Sequence, residues 1–202
     1  MIQSIGLAAG LAWASGFRLY VALFLTGVLA HFGLLELPAS LALLTHPVVL
    51  AASGTMLVAE FLADKIPGFD SLWDAVHTFI RIPAGAILAA GSLGSMDPAY
   101  IAAAAILGGV IASTSHATKA GSRALINTSP EPFSNWAASL TEDLLAPAGL
   151  AIAFKFPLLF LALLAVFLVV AMFLIRFLVK SLRALLGRLG RTPTAASSRP
   201  PP

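Results

Sequence analysis

Apolar residues run along this chain in long stretches separated by short breaks that contain proline, glycine or charge. A membrane helix needs about 20 mostly apolar residues. Candidate segments run about 4–33, 46–65, 70–93, 98–127, 133–153 and 156–186. The breaks are Leu37-Pro38, Ile66-Pro67-Gly68, Asp97-Pro98, Ser129-Pro130-Glu131-Pro132 and Lys155-Phe156-Pro157, where proline's fixed φ and missing N–H end helices. The segments at 70–93 and 133–153 are polar at their starts, which leaves a re-entrant alternative open for both. The first segment lacks a basic leader and stays apolar past Arg18 to about His31, so it reads as a membrane helix rather than a cleaved signal. Past residue 190, RTPTAASSRPPP has no apolar period and reads as a disordered tail, 190–202.

Composition says which solvent these segments face. Hydrophobic residues make up 59% of the 202 and charged residues 10%, against about 25% in a soluble domain. The mean hydropathy is +0.94. The expected fold is all-α: a polytopic membrane helix bundle of about six segments, with 1–189 as one membrane domain. Cysteine is absent, which removes disulfides, thiolate metal sites and a cysteine nucleophile. No phosphate cradle or nucleophile elbow appears, and no cofactor is expected.

Half of the 12 basic residues follow Ile175: Arg176, Lys180, Arg183, Arg188, Arg191 and Arg199. A basic flank of this kind stays on the cytoplasmic side. It reads as a topology signal and not as a nucleic-acid site. Six crossings would then place the N-terminus on the same side, with the connections near 66–70 and 128–133. Lys65, Lys119 and Arg123 lie near those connections, whereas Glu36 and Asp97 lie at the opposite ones; Lys155 is an exception. The expected location is a bacterial inner membrane, multi-pass, with the C-terminus cytoplasmic.

The chain also resembles itself. At an offset of 63 or 64, KIPGFDSLWDAVHTFIRIPAGAI lies on NTSPEPFSNWAASLTEDLLAPAGLA, matching Pro67 with Pro130, Phe69 with Phe133, Trp73 with Trp136, and Pro83-Ala84-Gly85 with Pro147-Ala148-Gly149. Continued backward, Glu60 meets Arg123 and Asp64 meets Asn127. The units, about 46–93 and 98–153, would form a parallel helix-hairpin repeat about an axis along the membrane normal. Glu60 and Arg123 are then counterparts that could pair across it.

Ionisable groups inside membrane segments are costly, so they face the interior, pair, or line water. Arg18 lies mid-segment and needs an acid or a water-filled space. Glu60 and Asp64, four apart, share one helical face and can bind a cation or pair with Arg18. Asp70, Asp74, His77 and Arg81 form a stripe that could offer metal ligands or serve as an interfacial polar face; Asp70 can also cap its helix. His116, Lys119, Arg123 and Asn127 form a basic stripe, either an anion site or the partner of Glu142 and Asp143. Together these residues make the expected interior polar cluster or ion path.

Three stretches, ASGFRLY, AEFLADKIPGFDSLWDAVHTFIRIPAGA and SHATKAGSRALINTSPEPFSNWAASLTED, resemble the bacterial membrane family known as domain of unknown function 4126, over most of the chain up to about residue 180. The resemblance implies an integral membrane protein and carries over no substrate or catalytic residue. Three functions follow from the residues. The first is a small transporter or channel for an ion or small charged solute, with Glu60, Asp64, Arg123 and His116 lining or gating the path. The second is an accessory membrane subunit whose charges are structural pairs. The third is a membrane enzyme on a lipid-type substrate, using Asp70, Asp74 and His77. The expected partners are the lipid bilayer, a small ion or charged solute, and a second copy of the chain.

Overall fold

The computed structural model describes residues 1–66, 68–127 and 133–189. The Pro67–Pro130 match, the Ser129–Pro132 break and the tail at 190–202 lie outside the described residues. The regular structure among the described residues is helical throughout: α1 (Ile2–His31), a short 3-10 helix (Ala39–Thr45), α2 (Pro47–Ala63), α3 (Phe69–Ser92), α4 (Pro98–Ile126), α5 (Phe133–Lys155) and α6 (Pro157–Leu189). Five helices are long and apolar enough to cross a membrane. The bent pair Ala39–Thr45 and Pro47–Ala63, with 66° between its parts, makes up to six. The chain is an integral membrane protein.

Local chemistry sets the ends. Proline opens α2 and α4 at the first helical position, where its missing N–H costs nothing. His46 Nδ1 accepts from the Val48 N–H and Asp97 Oδ1 from the Ala99 N–H, so each side chain caps an otherwise free donor. α1 ends at Gly33, whose φ of +70° lets the Leu34 N–H return to the Leu29 carbonyl.

α1 is broken. Arg18 has φ −146° and ψ 80°, outside the helical region. Residues 2–17 run antiparallel to α3: Ala8 packs with Ala89 and Leu93, and Ser15 Oγ donates to the Arg81 carbonyl at 2.7 Å. Residues 19–31 then run back. The Tyr20 hydroxyl meets His77 Nε2 at 3.2 Å, and Leu23 shares a cavity wall with Ala84 and Leu88. Ala8 and Leu23 therefore stand at one level of α3, although a straight helix would separate them by about 22 Å. At the open end of this hairpin, Gln3 and Ser4 line one cavity with Leu34–Pro38. A straight first span was expected; the chain instead enters, turns at Arg18 and returns.

The fold-back corrects the expected topology. Gly6 packs on Pro157, so the N-terminus lies beside the start of α6. Gly121, near the end of α4, packs on Leu178, so α6 runs to the opposite face. The N-terminus and the far end of α6 are on different faces and not on the same one. The faces also differ in chemistry. The Arg123 guanidinium donates to the Asp64 carbonyl at 3.1 Å, and the Trp136 indole donates to the Lys65 carbonyl at 3.3 Å. The ends of α2 and α4 and the start of α5 therefore meet on one charged face.

The hairpin forms the core. Most of α1 is buried, whereas α6 exposes Leu158, Val166, Val170, Phe173 and Phe177 to the surroundings. Trp13 packs against Phe17, Phe160 and Phe167, with ring centroids 5.1–6.2 Å apart. A helix apolar on all sides is stable in such a place.

Candidate functional site

The turn at Arg18 opens onto a buried network of ion pairs. Breaking the helix frees backbone carbonyls of α1, and Lys119 Nζ donates to one of them, Phe17 O, at 3.3 Å. Lys119 also lies 2.9 Å from Asp64 Oδ2, 3.4 Å from Asp74 Oδ1 and 3.5 Å from Glu142 Oε2. The Arg18 guanidinium itself reaches Asp64 at 3.0 Å and Asp143 at 2.6 Å. Arg18 and Asp64 are fully buried. Burying lone ions is prohibitive, but mutual pairing offsets much of the loss of water.

Two clamps flank this centre. Arg81 on α3 donates to Glu60 Oε1 from Nη2 and to Asp74 Oδ1 from Nη1, both at 2.6 Å. Arg123 on α4 grips Glu142 with two parallel bonds of 3.0 and 2.9 Å. Bidentate pairs of this kind are among the stronger charge-assisted bonds. Arg123 Nη1 also donates to Asn135 Oδ1 and lies 3.6 Å from Asp70. Asn127 donates to both oxygens of Asp70, at 2.9 and 3.1 Å, and Lys65 Nζ lies 3.0 Å from Asp143.

The two histidines sit on the network's edge. A guanidinium only donates, so His116 Nδ1, 3.3 Å from Arg81 Nη1, accepts. The Thr78 hydroxyl donates to the Asp74 carbonyl at 2.9 Å and so accepts from His116 Nε2, at 2.6 Å. His77 donates from Nδ1 to the Trp73 carbonyl at 2.8 Å and stacks on the Trp73 ring at 4.2 Å.

Of the residues expected in the interior polar cluster, Arg18, Glu60, Asp64, Asp70, Asp74, Arg81, His116, Lys119, Arg123, Asn127, Glu142 and Asp143 are joined by these contacts, whereas His77 bonds only Tyr20 and the Trp73 carbonyl. Two pairings differ from expectation. Glu60 does not pair with Arg123 across the bundle; each finds a partner within its own helix pair, Arg81 and Glu142 respectively. Asp70, Asp74 and His77 do not converge on one point, because each is drawn to a different neighbour: Asn127, Arg81 and Tyr20. Among the described residues, no three His, Asp or Glu side chains form a metal-like group. Sequence reasoning missed Lys65, Thr78, Tyr20, Asn135 and Ser139 as members. Asn135, Ser139 and Glu142, spaced four and three apart, do form a helical stripe that was open to reading.

Residues 5–177 match the family model described as Domain of unknown function (DUF4126). The chain belongs to this family. The DUF4126 match spans the whole network, from Arg18 to Asp143, together with the hairpin that carries its central arginine. No curated protein and no solved structure matches the chain.

Proposed function

We propose that this DUF4126 protein is a small transporter or channel for an ion or small charged solute. The observation that carries the reading is the break of α1 at Arg18 inside a buried ionic network. Helices interrupted at membrane depth are tolerated where they are packed in protein or line a polar path, and in transporters they mark the binding site. Here the interruption delivers a charged tip and a freed carbonyl to one place.

The same reading includes a parallel repeat of α2–α3 with α4–α5, units about 46–93 and 98–153. Like cap geometry at the two ends supports it. The Asp64 N–H bonds to the Glu60 carbonyl as the Asn127 N–H bonds to the Arg123 carbonyl. It also includes a cytoplasmic charged face in a bacterial inner membrane, supported by Lys65 and by exposed Arg176, Lys180 and Arg183 toward the end of α6.

The test is reconstitution of the purified chain in vesicles loaded with a pH dye, with potassium and chloride electrodes outside. The wild type should conduct at least one of the three ions above the rate of empty vesicles, and E60Q and R123Q should each abolish that flux. Flux no faster than in empty vesicles for all three ions, or unchanged flux in both variants, overturns the reading.

One observation favours a second reading, an accessory subunit. Arg18, Arg81, Lys119 and Arg123 each touch two or more carboxylates, as a structural clamp would. In that case the chain co-purifies with a fixed partner and conducts nothing alone.

A further inference from the structure

The network does not balance. Its carboxylates are Glu60, Asp64, Asp70, Asp74, Glu142 and Asp143; its cations are Arg18, Lys65, Arg81, Lys119 and Arg123. Among the described residues six acids thus face five bases, one positive charge short. Neither histidine fills the gap by pairing with an acid. His116 accepts from Arg81 at Nδ1, and His77 contacts the Trp73 carbonyl and the Tyr20 hydroxyl. Arg176, Lys180 and Arg183 on α6 are exposed and contribute none. An uncompensated carboxylate buried this deeply normally takes up a proton instead of remaining charged.

The partners say where that proton goes. Asp64 meets Arg18 and Lys119 within 3.0 Å, and Asp74 meets Arg81 and Lys119. Glu142 is held bidentate by Arg123. Asp70 accepts two bonds from Asn127 and one from the Ser71 N–H. Asp143 has Arg18 and Lys65 and is partly exposed. Glu60 has a single cation, Arg81, shared with Asp74; Asp70 likewise has only Arg123, shared with Glu142, but both Asp70 oxygens are hydrogen-bonded. Glu60 is fully buried, and its second oxygen, Oε2, has no hydrogen-bond partner among the described residues; Asp64 Oδ1 and Asp74 Oδ2 also lack one, but each of those carboxylates meets two cations.

We propose that Glu60 is a proton-binding site, and that the proton is the ion this protein moves or couples to. Arg81 on α3 holds it; Asp74 and His116 meet Arg81, Lys119 on α4 meets Asp74 and Asp64, and Tyr20 on α1, within reach of the Glu60 charge, bonds His77. A metal cation would need several converging oxygens, whereas a proton needs one, and one free carboxylate oxygen is what Glu60 offers. The step makes and breaks a single O–H bond: water at the charged face gives the proton, and the Glu60 carboxylate becomes a carboxylic acid. Partly exposed Lys65 and Asp143, with buried Glu142 beside them, connect that face to the cluster. Transport or coupling by this proton rests on the transport reading above; its binding does not.

The binding test therefore uses the purified full-length chain without vesicles. Infrared spectra at neutral pH should show the carbonyl stretch of a protonated carboxylic acid, shifted in heavy water. Labelling glutamate with carbon-13 should shift it, and labelling aspartate should not. In E60Q the band should disappear, while Tm stays within about 2 °C of wild type, because the amide mimics the neutral acid. D64N, which strips a carboxylate from two close cations, should lower Tm by about 5 °C or more. An absent band, a band that follows the aspartate label, or an E60Q protein destabilised as much as D64N overturns the site. In vesicles, the pH dye should report proton flux in wild type and none in E60Q. A Glu60 band without proton flux leaves the site standing and removes its transport role.

Discussion

The helices α3 and α5 share one frame. Each begins at a phenylalanine, Phe69 or Phe133, and carries a tryptophan a turn later, Trp73 or Trp136. Each has an internal proline, Pro83 or Pro147, and two residues on a buried glycine, Gly85 or Gly149, that packs against the first limb of α1. The charge they present is opposite. In the first helix pair the acid is on α2 and the base on α3, Glu60 with Arg81; in the second the base is on α4 and the acid on α5, Arg123 with Glu142. Each helix pair thus holds a buried arginine–carboxylate clamp, with the acid on the first helix in one pair and on the second in the other. A buried charge of either sign is held in these pairs provided its opposite partner is present.

Breaking one clamp gives the largest effect expected. Arg123→Met removes the bidentate partner of Glu142 and should cost about 3–5 kcal/mol in unfolding experiments in detergent. Arg81→Met should cost less, because Asp74 keeps Lys119 and Glu60 is then a neutral acid. Adding Glu142→Gln to Arg123→Met should recover much of the loss, since no lone carboxylate then remains. A double variant as unstable as the single one would mean that the pair does not act as a unit.

A smaller effect is expected where the frame is common to both helices. A Cβ at Gly149 would collide with the Trp13 ring, and one at Gly85 with Ala112 on α4, while only touching Ser15 and Ala12 of the hairpin. Gly149→Leu and Gly85→Leu should each cost about 1–3 kcal/mol by overpacking. Equal stability to wild type in both would show that the hairpin does not press on these helices.

The smallest effect sharpens the difference between the tryptophans. Trp73 stacks on His77, whereas Trp136 is half exposed and makes one long hydrogen bond. Trp73→Ala should lose about 1 kcal/mol and Trp136→Ala less. The reverse order in thermal unfolding would place the more important ring on α5.

Much of this was legible along the chain. The expected segment at 98–127 meets α4 at Pro98–Ile126, and that at 70–93 meets α3 at Phe69–Ser92, because proline and glycine punctuate them. Most charged members of the network were legible as well, since each is an ion in an apolar stretch, whereas uncharged members such as Thr78 and Asn135 were not. The break in α1 was not. ASGFRLY holds no proline, and its apolar run continues on both sides, so nothing local distinguishes a turn from a span. Arg18 could be marked as needing a partner, but not as the residue at which the backbone itself reverses. Lys65 was legible only as a topology marker, because its ion pair with Asp143 joins residues 78 apart in the chain.

The sequence by itself determined that the protein lives in lipid, where the proline-punctuated helices begin, and which ions have to leave that lipid. Each of these follows from local chemistry: transfer free energy, proline geometry and the cost of a lone charge. Tertiary structure alone decided who pairs with whom, that the first helix folds back to bring Arg18 to the centre, and that Glu60 is left with a single shared cation. Those outcomes depend on distances between residues far apart in the chain. Such distances are fixed only when the helices pack, because a buried charge accepts whichever opposite charge lies within a few ångströms.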